Sequence, residues 1–277
     1  MRERNALPIG VFDSGLGGLT VVRAIRDLLP AERLIYLGDT ARVPYGTRSP
    51  ETVLRYAKAC TKVIVQEGIK ALVLACNTVS AVALDWLRAE FDVPVLGVIE
   101  PGARTAVSAT KTGHVGVLAT HRTVASGAYP RAIASLNSRI EIRQQAAPLL
   151  VPLIEEGWIE GDVPTLVVRR YLESLLVNTR IDTIVLGCTH YPLLKPLIEK
   201  EASTLVKHKV AVVDSATQAA QELADFLRER QLSCPDDARG DLEVRLTDRP
   251  AQFAEIAARF LGEHLEPDRI VTTLIDV

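Results

Sequence analysis

Two cysteines in this 277-residue chain, Cys76 and Cys188, stand in the same local setting. Each closes a short apolar run, VLAC at 73–76 and VLGC at 185–188. Each is followed by hydrogen-bonding residues, Asn77-Thr78 in one case and Thr189-His190 in the other. In open α/β sheets, ligands bind beyond the carboxyl ends of the strands, where loops meet helix N-termini. Free backbone N–H groups and the positive end of a helix dipole favour a thiolate there, as does a nearby imidazolium. Two thiols facing each other across a cleft supply one base and one acid on opposite faces of a carbon. Inverting a stereocentre requires that geometry. Two thiolates beside an anionic substrate would repel, so one thiol and one thiolate are expected in each productive complex. The bland alternative is a pair of inert buried thiols, since free Cys is among the most buried residue types. Two cysteines in matched contexts weigh against it.

The other cysteines behave differently. Cys60 falls on an apolar helical stripe with Val53, Ala57 and Ile64 and reads as a small core hydrophobe. Cys234, in QLSCPDD, reads as part of a polar loop with no organised donors. The scatter of all four excludes a CxxC zinc site or a disulfide framework, and no metal ligand set is expected. His190, two residues after Cys188, is placed to tune that thiol or shuttle a proton. The loop Asp13-Ser14-Gly15-Leu16-Gly17-Gly18 follows a strand and opens a helix, so its amides could hold a carboxylate. No Gly-Lys-Ser/Thr follows, and the spacing is not that of a dinucleotide fingerprint, so a nucleotide site is a weak reading. Asp13, at the strand tip, could orient an ammonium group or a thiol.

Short β-branched runs alternate with amphipathic stretches, which predicts an α/β fold with parallel strands. Strands are predicted at Ile9–Phe12, Leu34–Leu37, Ala71–Ala75, Val95–Ile99, Val115–Leu118, Ile140–Arg143, Asp182–Leu186 and Val210–Val213. Leu19, Val22, Ile25 and Leu28 form a helical stripe after the first strand. Ser49-Pro50-Glu51 places a capping hydroxyl, a first-turn proline and an early acid ahead of another helix. Pro101-Gly102 punctuates the chain as a crossing between domains. VFDSG at 11–15 parallels VLATH at 117–121, and the separations from Ser14 to Cys76 and from Thr120 to Cys188 are similar. Two related open-sheet α/β domains follow, each presenting a cysteine at the C-terminal end of a strand. The first is expected to comprise 1–99 plus 211–277, and the second 100–210.

Lys and Arg total 32 against 34 Asp and Glu, so no basic footprint points to nucleic acid. No run of about 18 apolar residues suggests a membrane span. The N-terminal stretch lacks the long apolar segment of a secretion signal, so a cytoplasmic protein with reduced thiols is expected.

Several segments together resemble the aspartate/glutamate racemase superfamily, and glutamate racemases within it. They are IGVFDSGLGGLTV (9–21), GDTARVPYG (38–46), LACNTVSA (74–81), VIEPGA (98–103), LGCTHYPLL (186–194) and VVDSA (212–216). The resemblance implies a two-domain α/β enzyme with the active site in the cleft between the domains, which needs no cofactor and interconverts L- and D-glutamate. Its paired catalytic cysteines fall on Cys76 and Cys188, with Cys188 acting on the L-enantiomer and Cys76 on the D-enantiomer. The assisting groups fall on Asp13, His190 and, in Pro152-Leu153-Ile154-Glu155, on Glu155. Substrate contacts fall on Asp13, Ser14, Tyr45, Gly46, Asn77, Thr78, Thr120, Thr189 and His190. The resemblance also implies D-glutamate supply for peptidoglycan synthesis and a homodimer. Three rivals stay open: a racemase for aspartate or another amino acid, a hydrolase using one cysteine nucleophile, and a two-lobed amino-acid binding protein. Only the hydrolase should form an acyl adduct, and the binding protein should leave the α-hydrogen unexchanged.

Overall fold

The computed structural model describes residues 2–177, 180–235, 238, 240–249, 251, 253–266 and 269–276. The β-branched runs fold as strands: β1 Ile9–Asp13, β2 Leu34–Gly38, β3 Ala71–Leu74, β4 Val95–Gly97, β5 His114–Ala119, β6 Glu141–Ala146, β7 Thr183–Gly187, β8 Ala211–Val213, β9 Leu242–Leu246 and β10 Ile270–Thr272. They form a six-stranded sheet, β10-β9-β2-β1-β3-β4, and a four-stranded sheet, β6-β5-β7-β8. Every ladder is parallel. Parallel neighbours need a crossover, and helices supply it between strands, covering the sheet faces. The central strands β1, β3 and β7 are therefore buried along their whole length.

Alternate residues of each strand enter different cores. Val11 and Val73 join one apolar cluster with Leu118, Ile184 and Leu186 of the second sheet, so a single core runs between the two α/β units. Phe12, Leu72 and Leu74 face the helices Pro50–Val65 and Asn77–Glu90. Val115, Val117 and Val185 face the helices Ile99–Ala109 and Ala128–Leu136. The helix after the capping sequence starts as expected: Ser49 accepts a hydrogen bond from the Thr52 amide at 3.3 Å, with Pro50 in the first turn. Its buried stripe includes Val53, Ala57, Cys60 and Ile64.

Three sequence expectations change. Leu28 is exposed, and Val21 joins Leu19, Val22 and Ile25 in the buried face of helix Leu19–Leu28. The strand expected to reach Ile99 stops at Gly97, and Pro101-Gly102 lies inside helix Ile99–Ala109 rather than in a linker. Proline is tolerated there because first-turn amides have no intrahelical acceptor. The chain does not return to the first sheet at 211, because β8 pairs with β7 in the second. The return runs through helix Ala216–Glu229, which packs on helix Leu19–Leu28 and is tied to Ile99–Ala109 by a two-bond Arg104–Glu222 pair at 2.6 and 2.7 Å.

Candidate active site

The carboxyl ends of β1, β3, β5 and β7 converge on a cleft between the two sheets. Cys76 follows β3 and stands at the N-cap of helix Asn77–Glu90; Cys188 directly follows β7. Both are nearly buried, and both line one cavity of about 350 Å³. Ser14, Tyr45, Gly46, Asn77 and Thr78 line it from one side, and Thr120, Glu155, Thr189 and His190 from the other.

On the Cys76 side, the thiol donates to Ser14 Oγ at 3.3 Å. Burial, reinforced by the negative charge of Asp13, pushes its pKa up to about 12 despite the Ser14 and Val79 hydrogen bonds. Asp13 is fully buried; its Oδ2 accepts from the Gly15 amide at 3.0 Å. The Tyr36 hydroxyl donates to the Gly15 carbonyl at 2.8 Å and lies 3.4 Å from the same Asp13 oxygen. Burial raises the Asp13 carboxyl above its ordinary value, while the charge of His190 and the Gly18 and Gly15 amides oppose the shift.

On the Cys188 side, Sγ lies 3.9 Å from His190 Nδ1, and His190 Nε2 lies 3.0 Å from Glu155 Oε1. The Phe260 ring meets the imidazole edge-on, with centroids 5.1 Å apart. Burial by itself would push His190 down. The hydrogen bonds to Cys188 and Glu155, with the charges of both, outweigh it and carry the imidazole up to about 10. His190 is thus an imidazolium at neutral pH, beside the Cys188 sulfur.

Two threonine hydroxyls on the wall are linked to a third behind them. Thr78 Oγ1 is 3.0 Å from Thr120 Oγ1, and Thr120 and Thr123 are linked at 3.0 Å. Thr120 also caps its helix by accepting from the Thr123 amide at 3.2 Å.

The profile of the family described as Asp/Glu/Hydantoin racemase matches residues 9–223. The chain belongs to this racemase family. Its relatives include glutamate racemases of Neisseria meningitidis serogroup C, 48% identical over 96% of both chains, and of Geobacter metallireducens, 48% identical over 93% of both. Among solved structures, glutamate racemase from Francisella tularensis in complex with D-glutamate superposes with a TM-score of 0.88 at 34% identity. That from Bacillus anthracis superposes with a TM-score of 0.89 at 36% identity, and each match covers 98% of both chains. Picrophilus torridus aspartate racemase, at 20% identity and a TM-score of 0.53, shares the fold alone. The racemase is thus an isomerase with an α/β fold of two open sheets.

Of the residues singled out in the sequence, the racemase brings all but Asp13 to the cavity wall. Asp13 sits behind Ser14, and the loop amides at Gly15 and Gly18 turn toward its carboxylate instead of toward the cavity. Gly17 and Gly18 permit this packing: a Cβ built on Gly18 would stand 2.5 Å from Asp13 Cβ, and one on Gly17 would stand 2.3 Å from His190 Nδ1. The Tyr45 hydroxyl is committed to Asp39, which also holds Arg42 and Thr247. Gly46 lets its turn approach Thr120, with 2.8 Å from a built Cβ to Thr120 Cβ. The apolar part of the wall, Val43, Pro44, Pro148 and Val151, was not foreseen, nor were Tyr36 and Tyr129 behind it. Those tyrosines lie in a strand and a helix with no flanking motif, so only tertiary contact reveals them.

The two remaining cysteines lie away from the cleft. Cys60 is in the core, where burial pushes its thiol up. Cys234 has the organised neighbours that its loop did not suggest. Its Sγ donates to the Asn5 carbonyl at 3.0 Å and lies 3.7 Å from Lys70 Nζ, and its amide donates to Glu32. Lys70 and Glu32 form a buried ion pair at 2.5 Å, and Lys70 also donates to the carbonyls of Asn5 and Leu232. Among the described residues, no group of three or more His, Cys, Asp or Glu is arranged to hold a metal ion, and no helix is long and apolar enough to cross a membrane.

Proposed function

We propose that the chain is a glutamate racemase that interconverts L- and D-glutamate by two-cysteine acid/base chemistry without a cofactor. One α/β domain presents Cys76 and the other Cys188. The observation that carries this reading is the single cavity lined by both sulfurs. For the L-enantiomer, Cys188 removes the α-proton as thiolate and Cys76 delivers a proton to the opposite face as thiol; the roles exchange for the D-enantiomer. The His190 imidazolium, held by Glu155, favours the thiolate at Cys188. Burial and Asp13 favour the thiol at Cys76.

A positioned acid or base supplies about 10²–10⁴-fold, too little by itself for an amino-acid α-proton. Negative charge building on the α-carboxylate must meet preorganised donors. Ser14, Asn77, Thr78, Thr120 and Thr189 are the side chains that serve. The linked Thr78, Thr120 and Thr123 hydroxyls polarise one another, which strengthens a bond donated from that trio.

The test is racemisation of L-glutamate and of L-aspartate by wild type, Cys76→Ser and Cys188→Ser, followed by polarimetry. Glutamate turnover that survives intact in either variant removes that cysteine from the mechanism, and faster turnover of aspartate replaces the substrate. A cytoplasmic location, a homodimer and D-glutamate supply for peptidoglycan synthesis complete the reading, each resting on the family resemblance. Light scattering checks the dimer.

A further inference from the structure

One side chain joins the two cysteine-bearing strand ends and belongs to neither. Tyr129 is the second residue of helix Ala128–Leu136 and is fully buried. Its hydroxyl donates to Oδ1 of Asn77, the residue after Cys76, at 2.8 Å. Its ring lies against Gly187, the residue before Cys188: a Cβ built on Gly187 would stand 2.9 Å from Tyr129 Cε2. Gly102 leaves room on the other side, where a built Cβ would stand 2.9 Å from the hydroxyl oxygen and 3.2 Å from Cε1. The tyrosine thus fills a slot that two glycines keep open.

Asn77 Nδ2 is buried with no hydrogen-bond partner, although Asn77 lines the cavity. The phenol O–H donates to the amide oxygen, which turns the NH₂ group away from the ring. Burial, with the charges of Cys188 and Asp214, raises the phenol well above its ordinary value and keeps it a donor. Tyr129 itself is absent from the cavity wall.

We propose that Tyr129 is a positioning residue that sets the separation of the Cys76 and Cys188 strand ends and aims the Asn77 amide at the substrate carboxylate. This rests on the two-cysteine reading above. A carbanion formed by one thiolate must meet a donor already in place on the other face. If that donor is displaced, the thiol that took the proton exchanges it with solvent and returns a solvent proton to the same face. Exchange without inversion then rises.

The experiment uses L-glutamate in D₂O at low conversion, with deuterium at Cα measured by NMR in product and in recovered substrate. For Tyr129→Phe, kcat/KM is expected to fall about three- to tenfold, the effect of losing one neutral hydrogen bond. Deuterium in recovered L-glutamate is expected to rise relative to wild type. In an Asn77→Ala background, the same change at 129 should add nothing to the loss of kcat/KM, because the tyrosine acts through that amide. The proposal is overturned if kcat/KM and label both match wild type, if the two losses add, or if the rate falls with no extra label, as in a merely loosened fold. Wild-type protein that labels recovered substrate as fast as product would instead overturn the two-cysteine reading, whatever position 129 does.

Discussion

The two halves of the cleft share a plan and differ in charge. Each sulfur sits just past a buried parallel strand, with hydrogen-bonding residues next in sequence. Behind Cys76 stands a carboxylate, Asp13, with a serine as the nearest partner; behind Cys188 stands an imidazolium braced by Glu155. Equivalent backbone placement brings both sulfurs to one cavity, while the charged groups behind them differ. Placement and charge are thus set by different residues, and substitutions should separate them.

The largest separation comes from the sulfurs themselves. Cys76→Ser and Cys188→Ser are each expected to lose at least about 10²–10⁴-fold in racemisation. In D₂O, Cys76→Ser should still exchange the α-hydrogen of L-glutamate but not of D-glutamate, with Cys188→Ser showing the reverse. Loss of both exchanges in both variants breaks the assignment of one face to each sulfur.

Next come the groups that make the halves unequal. His190→Asn removes the cation beside Cys188 and should lower kcat/KM about ten- to a hundredfold, the scale of a charged hydrogen bond. In wild type, kcat/KM is expected to fall as pH rises through about 10, where His190 loses its proton. The groups that face this imidazole are Cys188, Glu155 and Asp13, with the Phe260 ring at its edge. Glu155→Gln removes one of the two supports that raise it, so the alkaline limb should move to lower pH in a pH–rate profile. Stability carries the same sign. The contribution of a raised His190 is complete below its ordinary value of 6.5 and is lost as pH rises through about 10. The difference in thermal midpoint between wild type and Glu155→Gln should therefore narrow over that interval.

A smaller effect is expected from Tyr36→Phe, which frees the Gly15 carbonyl and one side of Asp13. The loss of one neutral hydrogen bond corresponds to about two- to tenfold in kcat/KM. Cys60→Ser should change the racemisation rate least, within about twofold, and show itself in thermal unfolding instead, since it alters a buried side chain packed among Val53, Ala57 and Ile64 beside Asp39 and Tyr45. A large rate loss there would mean that the core cysteine also bears on the cleft.

What the sequence discloses follows from where the information resides. Strand ends are visible because β-branched runs stop at polar residues, and Cys76 and Cys188 lie at two such stops. The stripe of helix Pro50–Val65 and its Ser49 cap are visible because they are local. The sheet that receives β8 is not local: Ala-Val-Val fits either edge, and the pairing with β7 decides it. Pro101 misleads because proline marks a helix start as readily as a break. Asp13 is visible as a strand-tip acid, but its withdrawal behind Ser14 depends on Gly18 packing against it. Tyr36 and Tyr129 carry no sequence mark at all, because their partners lie across the fold.

The bare backbone at Gly46 has a consequence for how closely the lobes meet. The lobes touch there with no side chain between the turn and Thr120, so even a methyl group would act as a wedge. Propped off Thr120, the turn that carries Tyr45 would shift where it lines the cavity, and the cavity would change shape with it. The close approach of the two lobes thus depends on an atom that is missing.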